Sequence, residues 1–236
     1  MVKKRIGILG YGEVGQAIAQ LYKNPLIKNL TRDDGLFEID ILHICIPWSG
    51  NFVDIVKKEI KKSGAKLVII HSTVAPGTVK KIGALAVHSP VRGIHPNLYQ
   101  GIKTFVKYIG ADDKNSGLLA KKHLESLGIK TKVFPSSVTT EVGKLLDTTY
   151  YGVAIAWHGE MKEICDKFNI DFDQAVTAFN QTYNDGYKKL GKHNVIRPVL
   201  FSPKGSIGGH CIVPNAKLLK KYFNSKAIDL ILDYQP

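Results

Sequence analysis

A cysteine in a glycine-rich loop is the most chemically suggestive feature of this 236-residue sequence. Cys211 directly follows Gly208, Gly209 and His210, and a helix is predicted after the loop. Adjacent glycines let the backbone approach a ligand closely, and the amides at a helix start stabilise a thiolate. Free cysteines are also among the most buried residue types. The loop therefore predicts either a nucleophile or a structural thiol in the core.

A glycine fingerprint near the start of the chain indicates a dinucleotide site. The segment 10–15 fits the pattern GxGxxG between a predicted strand and a predicted helix, although a glycine turn without a ligand is the alternative. We expect Asp33 at the end of the second strand, where a carboxylate would bind the adenosine ribose of NAD. The neighbouring Arg32 leaves NADP open. The predicted cofactor residues in this region are Gly10, Tyr11, Gly12, Glu13, Val14, Gly15 and Asp33.

Alternating apolar runs and helical patterns precede residue 136, and the pattern is mainly helical beyond it. Strands that alternate with helices predict a parallel sheet wound in βαβ units. We therefore expect an α/β fold, with a doubly wound, mainly parallel Rossmann-type domain at 1–135 and an all-helical dimerisation domain carrying Cys211 at 136–236. The predicted strands and apolar runs are 5–9, 27–31, 39–46, 66–71, 84–88, 105–109 and 131–134. The predicted helices follow Gly12 and cover about 52–62, 117–127, 136–168, 172–190 and 216–232.

Composition restricts the class of protein. Three cysteines without framework spacing favour a reducing, cytoplasmic compartment, and no segment is apolar enough to span a membrane. The net charge of +13 comes from scattered lysines, without the basic-aromatic alternation of single-strand binders. We therefore prefer an anionic small-molecule substrate to nucleic acid. The histidines and cysteines lack ligand spacing, so no metal site is predicted.

Six separated motifs occur in the order found in the UDP-glucose/GDP-mannose dehydrogenase family, and the chain resembles that family, especially its N-acetylmannosamine-oxidising branch. The resemblance covers the family's NAD domain and central helical domain. It stops before the C-terminal nucleotide-binding domain, which we expect to be absent. The motifs are the fingerprint at 10–15, Ile46-Pro47, Ser72-Thr-Val-Ala-Pro-Gly-Thr78, Ser89-Pro-Val-Arg92, Glu141-Val-Gly-Lys144 and Gly208-Gly-His-Cys211 followed by Pro214.

The resemblance implies a four-electron oxidation of a sugar's primary alcohol to a carboxylate, with two NAD consumed per turnover. Cys211 would be the nucleophile, Lys144 would stabilise oxyanions, and Thr73 would lie near the nicotinamide. Helical spacing independently places Lys144, Thr148 and Tyr151 on one face; a solvated lysine is the alternative for Lys144. The resemblance also assigns the following residues: Thr148 and Asn215 to catalysis, Ile46, Pro47, Ser72 and Thr73 to cofactor binding, and Arg197, Phe201, Gly208 and Gly209 to substrate binding.

Three positions depart from the family pattern. Thr148 replaces an asparagine, Asn215 replaces an aspartate that could accept a proton, and Val91 replaces a glutamate. These departures keep two alternatives open. The first is a two-electron dehydrogenase related to 3-hydroxyacid or 6-phosphogluconate dehydrogenases, and the second is a non-catalytic NAD-binding or partner-binding homologue. For any of these we expect a homodimer formed through the long helix after Ser136.

Overall fold

The structure is a computed structural model that describes residues 4–202, 205–207 and 211–234. The chain forms two compact units, Met1–Lys144 and Leu145–Pro236. The domain boundary expected from the sequence, at 135/136, falls just before a long helix. The division between the two compact units lies between residues 144 and 145, within that helix.

The first unit is built on a seven-stranded, mainly parallel sheet, which confirms the predicted fold class. The strand order is β2-β1-β3-β4-β5-β6-β7, and β5 and β6 form the antiparallel pair. The central strands are buried along their whole length and, apart from His43 in β3, are apolar, as expected where helices cover both faces of a sheet. The strands are β1 Ile6–Leu9, β2 Leu26–Lys28, β3 Ile41–Ile44, β4 Leu67–Ile70, β5 Ala86–His88, β6 Lys107–Gly110 and β7 Thr131–Phe134.

Helices connect these strands and form the second unit. The helices are α1 Glu13–Ala19, α2 Phe52–Ser63, α3 Thr78–Ile82, α4 Leu98–Thr104, α5 Lys114–Ser126, α6 Ser137–Lys167, α7 Phe179–Lys189, α8 Ile212–Lys220 and α9 Lys226–Asp233. A π-helical segment, Asp173–Ala178, leads into α7, and a short 3-10 turn, His193–Val195, follows it. Within the described ranges, every helix is too short or too polar to cross a bilayer.

Two glycines let the last helices pack closely against α6 in the second unit. A Cβ on Gly152 would lie 2.6 Å from a side-chain carbon of Ile212 in α8 and 2.9 Å from one of Ile231 in α9. A Cβ on Gly159 would overlap the ring of Tyr234. These contacts fix the start of α8, and therefore Cys211, against α6.

The structure corrects several predicted boundaries. The second strand ends at Lys28 and not near residue 31, because Asn29 accepts hydrogen bonds from the amides of Thr31 and Arg32 and closes a turn. The predicted helix 216–232 is two helices, since the Ser225 hydroxyl accepts from the Ala227 amide and starts α9 afresh. The short helices α3 and α4 were not predicted, because each is too brief to show an apolar period.

Candidate active site

The glycine fingerprint lies where the strand order of the sheet reverses. Strand β1 has β2 on one side and β3 on the other, and crevices at such switch points are the ligand sites of open α/β sheets. Gly10 follows β1 with a φ of 96°, and a Cβ there would lie 2.7 Å from the backbone carbon of Cys45. A Cβ on Gly15 would overlap the Gly10 carbonyl oxygen, whereas one on Gly12 would meet nothing within 4 Å. Gly10 and Gly15 therefore allow close packing, and Gly12 leaves open space at the start of α1.

The start of α1 suits the pyrophosphate of a dinucleotide. Gly12 is the N-cap residue, and none of the described side chains caps the helix there. Uncapped amides with the positive end of the helix dipole form an anion site. Glu13 adds a carboxylate in the first turn, and this carboxylate hydrogen-bonds to the ring of His95. The residues 10–15 thus fit the dinucleotide that the fingerprint predicts, and His95 from a distant loop holds the Glu13 side chain.

Asp33 lies beside the end of β2 but is not part of that strand, in contrast to the prediction from the sequence. Its backbone pairs with Lys28 across an antiparallel bridge, after the turn that ends the strand. The carboxylate accepts from the Gly35 amide at 3.0 Å and lies 3.6 Å and 3.9 Å from the ammonium groups of Lys28 and Lys62. The Gly35 hydrogen bond, followed by the lysine charges, lowers the pKa of Asp33. Arg32 is held in a two-point ion pair with Asp34.

The loops after β3 and β4 carry the other predicted cofactor residues. The Ser72 hydroxyl donates to the Ile46 carbonyl at 2.6 Å and thereby joins the two loops. Pro47 is exposed, and Thr73 is half-buried directly after Ser72. The structure therefore brings Ile46 and Ser72 together at the carboxyl edge of the sheet.

The second unit brings together three of the predicted catalytic residues. Cys211 is of intermediate exposure at the N-cap of α8, and the backbone N–H of Asn215 donates to its carbonyl at 3.1 Å. The Asn215 side chain is buried and donates to the Thr148 hydroxyl on α6 at 3.3 Å. Thr148 is one helical turn after Lys144. Two of the three positions that depart from the family pattern, Thr148 and Asn215, are therefore hydrogen-bonded to each other.

The predicted substrate residues are distributed along the segment before Cys211. Two hydrogen bonds join the buried Asn184 side chain to the backbone N–H and C=O of Arg197, at 2.8 and 2.9 Å. The Arg197 guanidinium lies 3.5 Å from the centre of the Tyr183 ring. Phe201 is 84% exposed. Gly208 and Gly209 lie outside the described residues.

Sequence reasoning missed a polar network inside the first unit. The Tyr22 hydroxyl contacts ring nitrogens of His43 and His123 at 2.8 and 2.7 Å, and His43 contacts His71 at 2.8 Å. His71 contacts the Ser89 carbonyl at 3.0 Å. Since a carbonyl can only accept, the His71 Nδ1 donates to it, and the Nε2 of this neutral ring accepts from His43. Non-local packing creates this network, so no local sequence pattern could have revealed it.

Two further buried groups adjoin the predicted cofactor loops. The Lys107 ammonium donates to the carbonyls of Ser89 and Pro90 at 2.7 and 3.1 Å, and burial lowers its pKa to about 7. Val91 is 7% exposed and belongs to the apolar core, so the position of the family's glutamate lies in an apolar setting here. Over the residues with described positions, histidines, cysteines and carboxylates form no cluster that would hold a metal ion.

Comparison with known proteins shows which families and structures the chain is similar to. Residues 138–233 match the central domain of the UDP-glucose/GDP-mannose dehydrogenase family. A UDP-N-acetyl-D-mannosamine dehydrogenase of Methanococcus maripaludis is 28% identical over 216 residues, or 89% of this chain and 45% of the relative. The solved UDP-D-ManNAc dehydrogenase of Pyrococcus horikoshii has a TM-score of 0.75 at 19% identity, covering 98% of this chain and 68% of that one. The 3-hydroxyisobutyrate dehydrogenase of Mycobacterium tuberculosis has a TM-score of 0.68 at 14% identity, with 98% and 92% covered.

The sheet and its glycine loop define a Rossmann-type α/β fold. The chain resembles the UDP-glucose/GDP-mannose dehydrogenase family, and its residues 138–233 are the segment that matches the family's central domain. This confirms the resemblance seen in the sequence motifs. The family's dehydrogenases imply a nicotinamide cofactor. The chain spans about half the length of the curated relatives that it matches.

Proposed function

We propose that this protein is an NAD-dependent oxidoreductase that converts the primary alcohol of an anionic sugar, such as a nucleotide sugar, into a carboxylate. The relatives named as UDP-N-acetyl-D-mannosamine dehydrogenases support this substrate class. The observation that carries the proposal is the start of α8, where Cys211 precedes the buried Asn215 by one turn and Asn215 bonds to Thr148. A helix start can stabilise a thiolate, which is the reactive form of a nucleophilic cysteine.

The first unit would hold the cofactor. The uncapped start of α1 would bind the pyrophosphate, and Asp33 would approach the adenosine ribose. Ile46, Pro47, Ser72 and Thr73 would line the nicotinamide end. A bound nicotinamide supplies one hydride acceptor for each oxidation. We favour NAD because Arg32 is already paired with Asp34, so its charge is partly neutralised.

The second unit would supply the covalent chemistry. The alcohol first loses a hydride and a proton to give an aldehyde, and the Cys211 sulfur then adds to the carbonyl carbon to form a thiohemiacetal. Loss of a second hydride and proton gives a thioester. Water then cleaves the carbon–sulfur bond, which releases the carboxylate and regenerates the thiol. Lys144 would stabilise the negative oxygen that forms in these steps.

The decisive experiment counts NADH produced per sugar consumed in a screen of UDP- and GDP-sugars. We expect two NADH per sugar from the wild-type protein and from Cys165→Ser, whose thiol is buried at 3% exposure in the same unit. Cys211→Ser should form none beyond a slow trace. A Cys211→Ser variant with full two-NADH turnover would remove the covalent route.

Two substitutions at the site favour a simpler second candidate, a dehydrogenase that removes only two electrons. Asn215 carries an amide where a carboxylate could serve as a base, and Val91 is buried in the apolar core. Both changes remove groups needed for thioester hydrolysis and leave the first hydride transfer untouched. One NADH per substrate, with Cys211 dispensable, would establish this candidate. Dinucleotide binding without NADH formation from any substrate would instead favour a non-catalytic NAD-binding homologue, and the absence of both would favour a partner-binding one.

Assembly as a homodimer through α6 is part of the proposal. Four large apolar side chains on this 31-residue helix, and Phe168 directly after its end, are exposed at intervals of four or seven residues. A continuous apolar stripe at helical spacing is what a second copy of the helix would cover. The five are Leu146, Tyr150, Trp157, Ile164 and Phe168. Sedimentation of the wild-type protein and of Ile164→Asp should give a dimer and a monomer, respectively.

A further inference from the structure

The loop that carries Thr73 is bonded at two points to the first turns of α6, and both points lie inside the first unit. The loop runs from Ser72, after β4, to Thr78, where α3 begins. The first point is His88, at the end of β5, and the second is Glu141, on α6. Neither residue has a role in the chemistry proposed above.

His88 joins the beginning of the loop to the helix. Its Nε2 lies 3.0 Å from the Ser72 carbonyl oxygen, and its Nδ1 lies 2.9 Å from the Thr140 hydroxyl. Since the carbonyl can only accept, the ring donates through Nε2, and Nδ1 accepts from Thr140. The ring is fully buried, which lowers the pKa of His88 to about 3; the charges of Lys107 and Lys144 act in the same direction. The neutral ring therefore keeps one tautomer and one pair of partners at physiological pH.

Glu141 joins the end of the loop to the helix. Its two carboxylate oxygens accept from the amides of Gly77 and Val79, at 2.6 and 2.8 Å. The side chain is completely buried. Burial raises the pKa of Glu141, although the amide hydrogen bonds favour its charged form. A carboxylate at the start of α3 also interacts favourably with the dipole of that helix.

The two residues of α6 that take part in these contacts, Thr140 and Glu141, precede Lys144 by about one turn of the helix. Thr140 is four residues before Lys144 and Glu141 is three residues before it, so each of the two side chains is a neighbour of Lys144 on the helix. The helix advances about 1.5 Å per residue, which puts Lys144 roughly 6 Å along the axis from Thr140. The same two bonds that hold the Thr73 loop therefore also set its position relative to the Lys144 turn.

We propose that His88 and Glu141 are positioning residues that clamp the Ser72–Thr78 loop to α6 and so fix the distance between Thr73 and Lys144. This role rests on the function proposed above, in which Thr73 lies near the nicotinamide and Lys144 stabilises the oxyanion. Displacement of a catalytic group by about 1 Å can reduce turnover roughly a hundredfold. The clamp leaves the glycine fingerprint untouched, so loss of the clamp should lower kcat and leave dinucleotide binding unchanged.

The test compares His88→Phe with His88→Gln. The phenyl ring fills the space and makes neither hydrogen bond, whereas the glutamine amide can donate to Ser72 and accept from Thr140. We expect His88→Phe to reduce kcat by at least about tenfold and His88→Gln to restore it to within about threefold of wild type. The KM for NAD and the NADH dissociation constant should change less than about twofold in both. His123→Gln, at a buried histidine outside the clamp, controls for general loss of stability.

The amide hydrogen exchange of Gly77 and Val79, measured by NMR, provides a readout that does not need turnover. Glu141→Gln keeps one carbonyl acceptor and should speed exchange at one or both amides by about tenfold. If His88→Phe retains wild-type kcat and wild-type exchange at Gly77, the clamp is refuted while the proposed function stands. If the wild-type protein oxidises no sugar, the proposed function fails and exchange alone judges the clamp. In that case faster exchange in His88→Phe, with rescue by His88→Gln, supports it, and equal rates in all variants overturn it.

Discussion

Acidification from pH 7.5 to 5.0 should destabilise the first unit by at least about 4 kcal/mol, because histidines are buried there in their neutral form. Burial lowers the pKa of His88 to about 3 and that of His123 to about 4, from the usual 6.5. At pH 5.0 the unfolded chain binds a proton at each of these positions and the folded chain binds almost none. Between the unfolded pKa of 6.5 and pH 5.0, about 1.5 pH units, each histidine lowers the free energy of unfolding by about 1.4 kcal/mol per unit, or roughly 2 kcal/mol in all. His43 and His71, whose pKa values burial also lowers, act in the same direction.

The sign follows from the direction of these shifts. A histidine whose folded pKa lies below its unfolded pKa has no effect above about pH 7, and its protonation favours the unfolded state as the pH falls below 6.5. The carboxylates with lowered pKa values, such as Asp34 and Asp40, lose their contribution only near and below their unfolded value of 3.8. The pKa of Lys107, about 7, places most of its effect above this window. Between pH 6.5 and 5.0 the histidines therefore dominate.

Urea unfolding at pH 7.5, 6.0 and 5.0 measures this effect. Of the two tryptophans, Trp48 lies in the first unit, so Trp157→Phe leaves a fluorescence probe in that unit alone. His88→Gln in the same background removes one titrating group and should reduce the pH-dependent loss by about 2 kcal/mol. Identical losses with and without His88, or constant stability down to pH 5.0, would refute the argument that these rings are buried and neutral.

Three further outcomes test the site. Gly12→Ala should weaken NADH binding about tenfold and leave urea unfolding unchanged. Gly15→Ala should destabilise the first unit by about 1–3 kcal/mol, because its Cβ has no space. Similar unfolding curves for the two variants would contradict this expected difference in stability. Iodoacetamide should alkylate the native protein once, at Cys211, since the other two thiols are buried; mass spectrometry of tryptic peptides would reveal any other site. Asn184→Leu removes both bonds to the Arg197 backbone and should cost about 2 kcal/mol in urea unfolding, unless that segment contributes little to stability.

The cofactor end of the fold was predictable from the sequence because its determinants are local. A buried strand, a glycine turn and an amphipathic helix follow one another within the first twenty or so residues, and the structure has β1, Gly10 and α1 in that order. The φ of Gly10 and the overlap that a Cβ on Gly15 would cause explain why the pattern needs glycine at both positions. The order of the family motifs along the chain indicated the same type of fold.

The remaining features depend on contacts between distant residues. Glu141 was recognised as part of a motif, but its bonds to Gly77 and Val79 depend on the packing of a helix start against a loop more than 60 residues earlier in the chain. Asp33 was assigned to the end of a strand, whereas the Asn29 turn brings it back beside Lys28. Hydrophobic periodicity cannot report such side-chain bonds, since it records only which face of an element is apolar.

The paired departures at Thr148 and Asn215 bear on which chemical step this chain can perform well. The family pattern has an asparagine and an aspartate at these positions, and here a threonine and an asparagine replace them together. The Asn215 side chain donates to the Thr148 oxygen at 3.3 Å, so the two replacing residues are hydrogen-bonded to each other and neither carries a carboxylate. An amide cannot accept a proton from water, and Val91 offers no replacement from the apolar core. The Asn215–Thr148 bond orders the first turn after Cys211, but neither residue can serve as a general base. In the proposed route this affects hydrolysis of the thioester, because the two hydride transfers depend on the cofactor and on the cation at Lys144.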